Sequence, residues 1–120
     1  MNFFSKRIQS FIPAYHGLKW VFKEANFKIH IIVFVLVMFL AFLLEVNKIE
    51  LIILLIFSCI VFCTEALNTS IEKLGDAITL DDNEQIKFAK DIGAAAALIS
   101  AFFSFIVGLW IFLPKIFKII

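Results

Sequence analysis

The chain has 120 residues, of which 62% are hydrophobic, and its mean hydropathy is +1.01. A soluble domain of this size cannot bury so much apolar surface, and a disordered chain would be far less hydrophobic, so both classes are excluded. The formal net charge is only +1, which argues against a nucleic-acid partner.

The N-terminal region, 1–27, places apolar residues at helical spacing opposite basic ones. The apolar residues of this face are Phe4, Ile8, Phe11, Ile12 and Tyr15. The pattern predicts an amphipathic helix that lies on a membrane surface. Pro13 has no backbone N–H to donate. We therefore expect a break between Pro13 and Gly17, followed by a second helical stretch that leads to the membrane.

Three apolar segments follow, and each is suited to cross a bilayer, which requires about 20 mostly apolar residues. The predicted segments are transmembrane helix 1 at 28–46, transmembrane helix 2 with a cytoplasmic extension at 48–76, a cytoplasmic loop at 77–85, transmembrane helix 3 at 86–113 and a C-terminal tail at 114–120. The expected fold class is therefore an all-α membrane protein with three transmembrane helices and one N-terminal surface helix.

The basic residues are unevenly distributed over the two sides of the membrane. Eight Lys and Arg residues lie in the N-terminal region and around the second loop, against three in the first loop and the tail. Basic residues are enriched on the cytoplasmic side of membrane proteins. We therefore expect a protein of the cytoplasmic (inner) membrane with its N-terminus in the cytoplasm and its C-terminus outside.

Five polar residues follow the apolar part of transmembrane helix 2 and fall within about 100° of one helix face. This polar stripe consists of Glu65, Asn68, Thr69, Glu72 and Asp76. Glu65 comes directly after the apolar run, and an ionisable residue at the membrane boundary indicates a functional site. The alternative is a solvated helix end, but we expect no basic residue of the same helix to pair with these carboxylates.

Carboxylates at a cytoplasmic membrane surface suit metal-dependent phosphate chemistry. Mg²⁺ binds one or two protein carboxylates together with water and phosphate oxygens. A further carboxylate can take the proton of a nucleophilic hydroxyl. Lys90 and Asp91, at the start of transmembrane helix 3, should face the same region, and lysine is a suitable charge for phosphate. These residues predict metal-assisted phosphoryl transfer to a substrate in the bilayer.

Three blocks of the sequence occur in an order and at spacings typical of one enzyme family. The blocks are Glu65-Ala-Leu-Asn68-Thr-Ser-Ile-Glu72 with Asp76, Ala89-Lys90-Asp91-Ile-Gly93, and Glu24-Ala-Asn26-Phe-Lys28-Ile-His30. Together they resemble the prokaryotic diacylglycerol kinase and undecaprenol kinase family, over most of the chain. The resemblance implies an integral-membrane kinase that transfers phosphate from ATP to a membrane lipid alcohol. It also implies a homotrimeric helical bundle with active sites shared between neighbouring protomers.

The resemblance assigns roles to individual residues. Glu65 would be the general base, and Asn68 would help to orient the reacting groups. Glu24 and Glu72 would hold Mg²⁺ on the ATP phosphates. The residues expected to line the nucleotide site are Lys90, Asp91, Asp76, Glu24 and Glu72. The sequences of the blocks that begin at Glu65 and at Glu24 are closer to the undecaprenol-kinase branch of the family. The expected lipid is therefore undecaprenol, with diacylglycerol as a second substrate.

Two other classes of protein compete with the kinase. A small transporter or channel that uses Glu65 as an ion or proton carrier would place this acid near the middle of the bilayer. In this sequence the acids gather at one end of the helix. A non-catalytic assembly subunit would not explain five aligned polar residues. The pattern therefore favours chemistry over transport.

Overall fold

The computed structural model describes residues 2–120, and it folds them into α-helices joined by short turns. The four helices of this described part are α1 (Phe3–Val21), α2 (Ala25–Leu43), α3 (Lys48–Ile78) and α4 (Glu84–Ile119). Helices α2, α3 and α4 are long and apolar enough to cross a membrane. The predicted class, an all-helical protein with three membrane spans, is confirmed.

Three of these helices begin at an asparagine that caps free backbone N–H groups. The side-chain oxygens of Asn2, Asn47 and Asn83 accept a bond from the third residue beyond, at 2.8, 2.8 and 3.0 Å. Asparagine is favoured here because the first N–H groups of a helix have no partner within the helix. Helix α2 instead begins after Glu24, whose side chain makes no such bond. The Glu24 carboxylate therefore remains available for other partners.

The break expected between Pro13 and Gly17 does not occur. Helix α1 runs without interruption through Pro13, and the chain changes direction only after Val21. A proline inside a helix removes one backbone hydrogen bond, which leaves the carbonyl oxygen of Gln9 without its helical donor. Because α1 is exposed along almost its whole length, polar surroundings can satisfy that oxygen. The prediction of a break was therefore wrong.

Helices α3 and α4 form the most extensive contact of the fold and run in opposite directions. The Lys115 ammonium near the end of α4 lies 3.0 Å from the Glu50 carboxylate near the start of α3. Farther along, the hydroxyls of Thr64 and Ser100 are hydrogen-bonded at 2.7 Å. A small core at the Glu50 end joins α2 to this pair through Ala41, Leu54, Ile111 and Phe112. The polar stripe lies at the opposite end of α3, beside the start of α4.

Most apolar side chains of the three spans remain exposed in the single chain. Helix α4 also continues as far as Ile119, through the segment predicted as a tail, with Pro114 inside it. Exposed apolar surface on a membrane protein faces lipid tails or other protein chains. The single chain therefore offers ample surface for both.

Candidate functional site

Two polar side chains of α3 are buried in a chain that buries little else. Glu65 is 5% exposed and Asn68 is 6% exposed. Burying a carboxylate or an amide is costly unless it finds a partner or serves a ligand. Both belong to the polar stripe and lie at its N-terminal end, which is called its inner end. The candidate site is therefore built from this end.

Glu65 faces helix α2. The Nε2 atom of His30 lies 3.6 Å from the Glu65 Oε2 atom, and the imidazole is partly exposed while the carboxylate is buried. The ring of Phe62, one helical turn before Glu65, packs against Phe27 with ring centroids 5.3 Å apart. These aromatic rings hold α2 against α3 at the level of the pair. Glu65 is thus a buried carboxylate. Among the ion pairs of the described residues, its one partner is His30.

Asn68 lies at a close approach between α3 and α4. Its Nδ2 donates to the Glu72 Oε1 at 3.4 Å, while its buried Oδ1 has no hydrogen-bond partner. A Cβ atom added to Gly93 of α4 would lie 2.8 Å from that Oδ1. Only a glycine leaves room for the amide at this position. The Oδ1 atom is therefore a buried acceptor without a partner, packed against Gly93.

Three of the residues predicted to bind a nucleotide meet at the turn between α3 and α4. The Lys90 Nζ lies 2.5 Å from the Asp76 Oδ1. Gly75 leaves space for the aliphatic part of the Lys90 side chain, because a Cβ atom added to Gly75 would lie 2.9 Å from the Lys90 Cε. The Lys87 ammonium pairs with Asp91 at 2.7 Å. Asp76, Lys90 and Asp91 line one open cavity of about 630 Å³.

Glu24 lies apart from that cavity. Its Oε1 is 3.3 Å from the Nζ of Lys73 on α3. It borders a second cavity of about 780 Å³ between α1 and α3, whose lining is mostly apolar. The polar side chains of this second cavity are those of Glu24, Thr69, Ser70 and Lys73. Of the seven predicted site residues, three line the first cavity, Glu24 lines the second, and Glu65, Asn68 and Glu72 line neither.

The site can bind a divalent cation only when a bound ligand supplies further oxygen donors, such as phosphate oxygens. No group of three or more His, Cys, Asp or Glu side chains is placed to hold a metal within residues 2–120. Mg²⁺ needs only one or two carboxylates when phosphates and water complete its shell. Glu72, which belongs to the polar stripe, and Glu24, which shares a cavity with Thr69 of the stripe, fit that donor chemistry.

Sequence patterns did not predict His30 or Lys73 as site residues. Each contacts a predicted site residue outside its own helix, and no spacing rule along one helix reveals such a pair. One signal was present for His30, because a titratable residue in an apolar span is rare and commonly paired.

Comparison with known proteins identifies close similarities over most of the chain. Residues 13–112 match the family model described as prokaryotic diacylglycerol kinase. The chain is 36% identical over 116 residues to an undecaprenol kinase of Bacillus subtilis, covering 96% of this chain and 94% of that protein. It is also 36% identical over 109 residues to a diacylglycerol kinase of Synechocystis, covering 89% of this chain and 62% of that protein.

Proposed function

Because this chain belongs to the prokaryotic diacylglycerol kinase family, we propose that it phosphorylates a membrane lipid alcohol with Glu65 as the general base. Family membership makes it a multi-pass membrane lipid kinase that uses ATP. The transporter alternative is not favoured.

The observation that carries the proposal is the burial of Glu65 at the inner end of the polar stripe. A carboxylate that is 5% exposed loses much of its hydration, which costs free energy. A carboxylate buried at this cost indicates a functional role. Beside it along the same helix face lies the unpartnered Oδ1 of Asn68. Proton abstraction requires a base within hydrogen-bond reach of the hydroxyl, and Glu65 is the buried carboxylate of this helix face.

The reaction transfers one proton and one phosphoryl group. The lipid hydroxyl gives its proton to the Glu65 carboxylate, and its oxygen forms a bond to the γ-phosphorus of ATP. The bond between that phosphorus and the bridging oxygen of the β-phosphate breaks, and ADP leaves. Asn68 orients the reacting groups. Asp76, Lys90 and Asp91 hold the nucleotide, with the Lys90 ammonium close to a phosphate.

Glu24 and Glu72 are the residues that would hold Mg²⁺ on the ATP phosphates. Bound there, the ion would neutralise phosphate charge that develops during transfer. In the single chain Glu72 accepts a hydrogen bond from Asn68, and Glu24 pairs with Lys73. Both carboxylates are therefore already directed at polar partners, and each can exchange its partner for a cation.

We further propose that the working unit is a homotrimer with shared sites. Two observations support it. In one chain Glu24 lines a different cavity from Asp76, Lys90 and Asp91. Much apolar surface of the spans is also left exposed. In this arrangement one protomer supplies Glu65 and Glu72, and its neighbour supplies Lys90. The orientation proposed is N-terminus in the cytoplasm and C-terminus outside the cytoplasmic membrane, because ATP is cytoplasmic and the basic residues favour that side.

The proposed lipid is undecaprenol, with diacylglycerol as a second substrate. The mostly apolar cavity between α1 and α3 suits a lipid chain, and one of its polar residues, Thr69, belongs to the same stripe as Glu65. The similarity to the Bacillus subtilis protein, which spans nearly all of both chains, supports undecaprenol as the better substrate.

The test is ATP-dependent phosphorylation of the two alcohols in identical mixed micelles. We expect both lipids to be phosphorylated, with the larger kcat/KM for undecaprenol. A preference for diacylglycerol of about tenfold, or about 1.4 kcal/mol of transition-state discrimination, would overturn the lipid assignment and leave the kinase standing. Absence of phosphorylation of either alcohol would contradict the proposed reaction.

A further inference from the structure

His30 is a titratable side chain in an otherwise uncharged stretch of the first membrane span. Ionisable residues in such spans are rare, face the protein interior and pair with a partner. The partner here is Glu65, across the interface between α2 and α3, with 3.6 Å between Nε2 and Oε2. The chain has two histidines. The other, His16, lies on the exposed helix α1, and its side chain enters none of the ion pairs found among residues 2–120.

The surroundings of this pair restrict its movement. Phe27 precedes His30 by one helical turn, and Phe62 precedes Glu65 by one turn. The Phe62 ring packs against Phe27 and also against Phe34, with centroids 5.3 and 5.5 Å apart. These contacts set the distance between the two helices on both sides of His30. The imidazole is therefore held beside one oxygen of the carboxylate.

We infer that His30 is a positioning residue for the general base. Its Nε2–H holds Oε2 of Glu65, so that the other carboxylate oxygen, Oε1, is directed to the lipid hydroxyl. The proton of that hydroxyl goes to Oε1, and His30 keeps its own proton throughout. A separation of 3.6 Å exceeds a hydrogen bond. Catalytic hydrogen bonds are commonly long without substrate and shorten in the reactive complex. The inference rests on the proposed role of Glu65.

Two substitutions of His30 separate positioning from packing. Glutamine carries an amide N–H at about the reach of the imidazole Nε2, whereas the amide of asparagine reaches only about as far as Nδ1. Both remove the aromatic ring. We expect His30→Gln to keep kcat within about threefold of wild type. We expect His30→Asn to lower kcat about tenfold or more, equivalent to about 1.4 kcal/mol. The KM for ATP should change less than about twofold in both, because the nucleotide site is elsewhere.

The matched control is His16→Gln, which should leave kcat and KM unchanged. Equal losses of kcat in His30→Gln and His30→Asn would overturn the inference in favour of ring packing. Wild-type kcat in both would overturn it as well. If Glu65→Gln is inactive while both His30 variants are fully active, only the positioning role fails. If Glu65→Gln is active, the proposed base itself fails.

A second measurement does not depend on activity. Protein labelled with ¹⁵N-histidine gives side-chain signals from two residues only. In Glu65→Gln, whose amide replaces the carboxylate, we expect the Nε2 resonance of His30 to shift and that of His16 to remain. An unchanged His30 resonance would show that the two side chains do not interact, and would overturn the inference even where His30→Asn does not fold.

Discussion

Replacing Gly93 by alanine perturbs the candidate site without touching a charged residue. The added Cβ would lie 2.8 Å from the Asn68 Oδ1 and 3.2 Å from the Ile71 Cδ1. The first distance is shorter than a carbon and an oxygen tolerate, so the amide must move or the helices must separate. Asn68 is buried and hydrogen-bonded to Glu72, which limits where it can go.

The energetic cost follows from these contacts. Overpacking a close-packed site by one methyl group typically costs about 1–3 kcal/mol. Replacing a glycine inside a helix by alanine offsets up to about 1 kcal/mol of that cost. We therefore expect a net destabilisation of about 0–2 kcal/mol. Displacement of Asn68 by a few tenths of an ångström to one ångström should lower kcat about tenfold to a hundredfold.

The assay is lipid phosphorylation with kcat and KM determined separately, together with thermal unfolding in the same detergent. The control is Gly108→Ala on the same helix, because a Cβ there meets nothing within 4 Å. We expect Gly108→Ala to match wild type in kcat and KM and to raise the stability by up to about 1 kcal/mol, because alanine is the better helix former. Wild-type kcat in Gly93→Ala would refute the argument that the close approach to Asn68 matters for catalysis.

Three further predictions concern the metal, the nucleotide and the sharing of sites. Glu72→Gln and Glu24→Gln should each raise the Mg²⁺ concentration needed for half-maximal activity, because each removes a charged oxygen ligand; unchanged Mg²⁺ titrations in both would show that they are not ligands. Lys90→Ala should raise the KM for ATP about tenfold through loss of a phosphate contact, whereas Lys118→Ala, at the opposite end of α4, should not. At ATP concentrations well below KM, where Lys90→Ala alone should keep about a tenth of wild-type activity, equal co-assembly of Glu65→Gln with Lys90→Ala should restore about a quarter of wild-type activity if sites are shared around a ring. Activity no higher than that of Lys90→Ala alone would favour a site within one chain.

Sequence patterns predicted the features that depend only on residues close together along the chain. A run of about 20 apolar residues is sufficient to indicate a span, and the three spans are present. The polar stripe also follows from spacing along one helix, and the structure buries Glu65 and Asn68 at its inner end. Family resemblance, carried by the same residues, was confirmed by the comparisons.

Features that depend on contact between helices were not predictable in this way. The pairing of Glu24 with Lys73 and of Glu65 with His30 requires the relative placement of two helices. The course of α1 at Pro13 was misjudged because the cost of a proline depends on whether the orphaned carbonyl is exposed. Exposure is a property of the folded chain.

The central claim is that the buried carboxylate of Glu65 takes the proton of the lipid hydroxyl. Its most direct test is the kcat of Glu65→Gln, since glutamine keeps the shape of the side chain and removes the proton acceptor. We predict a fall of about 100-fold to 10,000-fold, with assembly and ATP binding unchanged, while Glu45→Gln in the turn between α2 and α3 remains at the wild-type level. A Glu65→Gln enzyme that retains half of the wild-type kcat would contradict the claim.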